Sequence, residues 1–89
     1  MARIPLGYQQ LTGITVATAL TVPPGSKSVD LSAEVAAVRF RDDGANPTST
    51  VGALIQTTTP PLTYFGSLGK IRVIQAAPGA ILNCEYYKT

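Results

Sequence analysis

The chain has 89 residues and a formal net charge of +2, and only 13% of its residues are charged, about half the usual share for a soluble domain. Such a weak, dispersed positive charge argues against nucleic-acid binding, which usually depends on a clustered basic surface. Histidine is absent and cysteine occurs once, which excludes an internal disulfide, a cysteine-based metal site and the commonest general base.

Turn-forming residues punctuate the chain at short intervals and leave runs of five to ten residues between them. Glycine and proline recur at positions 23–25, 44–47, 60–61, 66–69 and 78–79. Short runs between such breaks are typical of an antiparallel β-sandwich or barrel. We therefore predict one all-β domain over residues 1–89, and leave open that residues 1–12 form an extended arm.

The first long apolar run, residues 14–22, predicts a strand with Ile14, Val16, Leu20 and Val22 on one face. It is about half the length needed to span a membrane, and no targeting segment is visible. We therefore expect a protein made in the cytoplasm that contacts no membrane. Residues 30–37 contain good helix formers behind Asp30, a possible cap. We interpret them as a strand leading into residues 38–41, with a short helical turn as the alternative.

The last two runs also alternate with a period of two. Residues 70–74 place Ile71 and Val73 together, and residues 80–87 place Leu82, Cys84 and Tyr86 on one face. Asn83, Glu85 and Tyr87 of the last run face the other side. Because a Pro-Gly turn separates the two runs, we predict that they pair with each other as antiparallel strands.

The segment VRFRDDGANPTSTVG, residues 38–52, concentrates charge at a turn. Arg39 and Arg41 share a strand face, from which they can reach Asp42, Asp43 or acidic groups of a neighbouring chain. Gly44 permits a sharp turn and Pro47 stiffens its exit. A calcium loop would need further spaced oxygen ligands, which do not follow. We predict a structural turn that also fixes a contact between chains.

No group of residues indicates catalysis. Glu34 and Glu85 are isolated carboxylates, and Cys84 lies in the apolar row of its strand without a histidine to activate it. Nor does the sequence indicate a cofactor. Tyrosines such as Tyr64 and Tyr87 can stack on bases, but without a basic groove we interpret them as core or interface anchors. We expect a protein that is not an enzyme.

Two long stretches, residues 4–26 and 44–69, contain no charged residue. Interface cores are depleted in charge, so these stretches favour a close-fitting contact with another protein. The alternative is that they form the core strands of a small domain. A chain of this size also has more apolar surface than its own core hides, and we expect self-association, as a trimer, with closed symmetry.

Residues 38–52 and the segment PLTYFGSLGKIRVIQAAPGAILNCEYYK, residues 61–88, resemble a group of small virion proteins of tailed bacteriophages. Shared features are an aromatic residue before Arg-Asp-Asp-Gly, a following Pro-Thr, and an ending of Asn, two tyrosines and a basic residue. Phe40 stands where tryptophan is more usual, and Cys84 where an aliphatic residue is. The resemblance covers a little over half of the chain.

This resemblance implies a virion structural role on an all-β, jelly-roll-like scaffold. The expected function is that of a capsid decoration, or cement, protein on the capsid surface, whose partners are the major capsid protein and its own copies. The interface residues would include Arg39, Arg41, Asp42 and Asp43. Alternatives are a tail, neck or adaptor component, and a carbohydrate-binding adhesion module. For the latter, only the Tyr86–Tyr87 end offers an aromatic platform.

Overall fold

A computed structural model describes residues 4–58, 60–66 and 68–88. In this part of the chain, strands dominate and the one helical element is a single 3-10 turn at Leu68–Lys70. The eight strands are β1 Pro5–Leu11, β2 Thr18–Ala19, β3 Ser28–Glu34, β4 Val38–Arg41, β5 Ala53–Ile55, β6 Leu62–Phe65, β7 Arg72–Gln75 and β8 Ile81–Tyr87.

The strands form two antiparallel sheets of four, which confirms the predicted all-β class. The first sheet has the order β1-β8-β3-β6, and the second has the order β2-β7-β4-β5. Both sheets contribute to one apolar core, so the domain is a small β-sandwich. The core consists of Ile14, Leu20, Val29, Leu31, Ala33, Val38, Ile55, Leu68, Ile71, Val73, Ala80, Leu82, Cys84 and Tyr86.

The central strands β3 and β8 follow the alternation that the sequence predicts. In β8, Leu82, Cys84 and Tyr86 are buried, and the residues between them are more exposed. The matching inward row of β3 lies directly across from them in register. Both rows face the core, because a strand's period of two turns every second side chain toward the opposite sheet.

The predicted pairing of the last two strands is wrong. β7 pairs with β2 and β4, whereas β8 lies between β1 and β3 in the other sheet. The turn at residues 76–80 therefore crosses from one sheet to the other. Val73 and Leu82 both point into the core, but from opposite sides of the sandwich, which a hairpin within one sheet could not achieve.

The predicted strand over residues 14–22 is reduced to the two-residue β2. A tight turn interrupts it, in which the Thr15 N–H donates to the Gly13 carbonyl at 2.8 Å. Ile14 and Leu20 are buried as predicted, but Val16 is 68% exposed. The period-two pattern failed here because the residues before β2 are not a continuous strand: Ile14 lies in the tight turn, and Leu20 directly follows β2.

Residues 30–34 belong to β3, so the strand interpretation is confirmed there and the helical alternative is not. The strand does not continue into β4, because a three-residue turn centred on Val35 separates them. Val35 has φ 71°, and the Ala36 N–H donates to the Glu34 carbonyl at 2.8 Å. This positive-φ γ-turn is a rare and strained conformation for a β-branched residue. It carries the chain from the first sheet to the second.

The amino-terminal segment is an edge strand in the structure. The sequence left an extended arm open for residues 1–12, but Pro5–Leu11 pairs along β8 from Tyr87 to Leu82. Residues 1–3 lie outside the described residues. The segment at residues 21–23 runs beside β1, where the Gln9 side chain accepts from the Thr21 N–H at 3.1 Å.

Candidate functional site

The turn between β4 and β5 holds the candidate site, and its central feature is a two-pronged ion pair. Arg41 Nε donates to Asp43 Oδ1 at 3.2 Å, and Arg41 Nη2 donates to Asp43 Oδ2. The Ala45 N–H also donates to Asp43 Oδ1, at 3.2 Å. The predicted contact of arginine with aspartate is therefore present, and the same carboxylate closes the turn through the backbone.

Arg39 lies on the same strand face as Arg41 but has a different task. Its Nε donates to the Ser49 carbonyl at 3.0 Å, and its Nη1 donates to the Gly52 carbonyl at 2.9 Å. These bonds fasten the far side of the turn to β4. The sequence placed Arg39 within reach of the aspartates, whereas the structure uses it to satisfy backbone carbonyls.

Asp42 joins the turn to the other sheet. The Tyr64 hydroxyl on β6 donates to Asp42 Oδ2 at 2.7 Å, and this hydrogen bond, with some desolvation, raises the pKa of Tyr64. The sequence marked both residues but not their contact. Twenty-two positions separate them, and no local pattern shows that β6 lies beside this turn.

The backbone of the turn depends on glycine at two positions. Gly44, with φ 84°, follows the aspartates, and Gly52, with φ 136°, precedes β5. A Cβ on Gly52 would lie 3.1 Å from the Phe40 carbonyl oxygen and 3.2 Å from Pro47 Cβ. Pro47 is buried there. The turn is thus closely packed around Pro47 while its two aspartates stay exposed.

Electrostatics keep the ion pair charged. The hydrogen bond from Arg41, followed by the Ala45 N–H, lowers the pKa of Asp43, and the same pair raises the pKa of Arg41. A lowered pKa in the folded state stabilises the fold above the carboxyl's unfolded pKa, and this contribution is lost as the pH falls. Side chains of both residues are accessible, at 35% for Arg41 and 51% for Asp43, so water screens the pair and a partner can reach it.

Tyr87 lies apart from this turn, on the outer face of the first sheet. Its hydroxyl donates to Glu85 Oε2 at 3.3 Å. The same face carries a polar network that the sequence did not indicate, in which Asn83 Nδ2 donates to Glu34 Oε1 at 2.6 Å and the Tyr8 hydroxyl donates to Asn83. Tyr86 is buried, so the aromatic platform of Tyr86 with Tyr87 that the carbohydrate-binding alternative would need does not form.

Cys84 is fully buried in β8, and desolvation raises the pKa of its thiol to about 12. Because the thiolate is the reactive species, we expect the folded protein to react with a thiol reagent at pH 8 at least about a hundredfold more slowly than the urea-unfolded chain. Ellman's reagent measures both rates. Equal rates would show that Cys84 is accessible in the folded protein.

Among the residues that the structure describes there is no pocket, and no group of three or more metal-ligating side chains occurs. No helix in that part of the chain is long and apolar enough to cross a membrane. Comparison of the chain with protein-family models, with curated proteins and with solved structures finds no match in any of the three.

Proposed function

We propose that this chain is a structural protein of a tailed-phage virion, acting as a capsid decoration protein that binds the major capsid protein and its own copies. The proposal includes that it is not an enzyme. Its carrying observation is the strand order β1-β8-β3-β6 facing β2-β7-β4-β5.

We interpret this order as that of a jelly roll. Eight strands wound as two interlocked Greek keys place the first and last strands side by side at one edge and send successive strands to alternate sheets. The order here has both features, since β1 neighbours β8 and every strand from β2 to β8 except β5 lies in the sheet opposite to that of the strand before it. Viral capsid proteins and lectins use this architecture. A fold alone does not decide function, so the proposal also needs a surface that could bind the coat.

The Arg–Asp turn, residues 42–52, supplies a surface suited to coat attachment. It presents the ion pair of Arg41 with Asp43, and it also contains Val51, which is 52% exposed. Phe65, 64% exposed, ends β6 at the same end of the sandwich. An exposed bidentate ion pair can fix the orientation of a partner. The apolar residues at the same end provide contact area from which a partner can exclude water.

The test uses phage heads that lack this chain, either because it was stripped off or because the heads were made without it. We expect purified protein to bind such heads saturably, with a fixed number of copies per head, and to raise the temperature at which the heads disassemble. Purified tails serve as the control. Binding to tails but not to heads would contradict the decoration role and favour a tail or neck component.

A carbohydrate-binding module is the second candidate, and the outer face of the first sheet favours it. Tyr8 is 60% exposed and lies next to the hydrogen-bonded amide and carboxylate of Asn83 and Glu34. Aromatic rings beside such groups suit a sugar. A glycan-array signal abolished by Tyr8→Ala, without binding to heads, would establish this function in place of decoration.

A further inference from the structure

Four loops meet at the end of the sandwich opposite the Arg–Asp turn. They are residues 12–17, 35–37, 56–61 and 76–80, of which Thr59 lies outside the described residues. The antiparallel registers produce this grouping, because β1 and β3 end where β8 begins and β5 ends where β4 begins. Two hydrogen bonds also hold three of these segments together: the Gln75 N–H at the end of β7 donates to the Ile14 carbonyl, and the Ala76 N–H donates to the Ala37 carbonyl, both at 2.9 Å.

At this end, which we call the neutral end, the four loops contain no Lys, Arg, Asp or Glu. The one charged residue that adjoins them in sequence is Glu34, the last residue of β3, whose carboxylate accepts from Asn83 Nδ2 at 2.6 Å. The loops of the opposite end contain Lys27, Asp42, Asp43 and Lys70. The sequence shows charge-free stretches, but only the fold places parts of four separate segments together. Apart from Glu34, which begins the turn around Val35, the charges of the turns and loops therefore lie at one end of the domain.

Two valines project from the neutral end. Val16 is 68% exposed and Val35 is 73% exposed, the two highest values among the large apolar residues that the structure describes as exposed. Val35 also occupies the strained γ-turn with φ 71°. Strain of this kind persists only where the surroundings impose it, and it concentrates at functional surfaces. We take an exposed apolar residue held in such a conformation as a candidate contact residue.

We propose that the neutral end is the surface through which copies of this chain contact one another around a symmetry axis. Near such an axis each residue lies close to its own copies, so any charge there is repelled by an identical charge. Four uncharged loops with exposed valines keep this repulsion low and bury apolar surface, and the adjoining Glu34 is hydrogen-bonded to Asn83 within the chain. A coat subunit is a different chain, so identical charges do not face each other in a contact with it. We therefore assign the charged end to the contact with the coat.

The inference rests on the self-association contained in the proposed function, but not on coat attachment. Its test compares Val35→Asp with Val35→Asn in the full chain, because the two side chains differ in charge and hardly in shape. Sedimentation equilibrium at pH 7 gives the association constant. We expect the wild-type protein to form trimers, and the Asp variant to associate at least about tenfold more weakly than the Asn variant. The pair Val16→Asp and Val16→Asn repeats the test and decides it if a Val35 variant does not fold.

Val51→Asp is the matched control, since it puts the same charge on an exposed valine at the opposite end. It should associate like the wild type. Equal association of the Asp and Asn variants, or dissociation by Val51→Asp alone, would overturn the proposal while leaving self-association intact. A wild-type chain that stays monomeric would overturn the self-association as well. Loss of head binding by Val35→Asp with unchanged self-association would assign the neutral end to the coat and overturn the proposal too.

Discussion

Leu82→Ala should lower the free energy of unfolding by about 2–5 kcal/mol, because it opens a cavity in the core. Leu82 is fully buried, and its strand β8 hydrogen-bonds both β1 and β3. A domain of this size has a total stability of roughly 5–13 kcal/mol. This single change therefore removes a large part of the margin. Urea unfolding followed by circular dichroism measures the loss.

Leu54→Ala is the matched control, because it removes the same atoms from a strand residue that is 41% exposed. Its effect should be less than half that of Leu82→Ala, since little apolar surface returns to water and no closed cavity forms. Similar losses for the two variants would contradict the core assignment of β8.

Asp43→Ala should leave the domain folded and weaken binding to phage heads by about 30-fold or more. The ion pair with Arg41 is exposed in the isolated chain, so water replaces the lost carboxylate there. In a contact that excludes water, the guanidinium of Arg41 would be left without its partner, which is far more costly. Thermal unfolding of the isolated chain and binding to stripped heads measure the two effects separately.

Asp43→Asn separates the charge from the turn. The amide oxygen can still accept from the Ala45 N–H, which Asp43 Oδ1 does at 3.2 Å, but it no longer neutralises Arg41. If charge fixes the contact, Asn weakens head binding nearly as much as Ala. Head binding by the Ala variant at wild-type strength would remove the contact role and leave a turn only. If Asp43→Ala only unfolds the isolated chain, the cluster likewise has no contact role and is a turn only.

The Arg–Asp turn could be predicted from sequence because its decisive contacts are local. Arg41 and Asp43 are two residues apart, and Asp43 bonds the backbone two residues further on. Gly44 has the positive φ, 84°, that its place after two aspartates suggested. The bond from Tyr64 to Asp42 was not predictable, because it depends on which strand lies at the edge of the opposite sheet.

The sequence by itself determined the all-β class and the inward row of β8, since alternation along a strand depends only on neighbouring residues. The tertiary structure decided which strands pair. Local alternation predicts the face of each side chain but not the strand that its own strand pairs with. A hairpin of β7 and β8 was therefore predicted, whereas the two strands lie in different sheets. It also decided the neutral end, because four uncharged loops distant in sequence meet only when antiparallel strands bring their ends together.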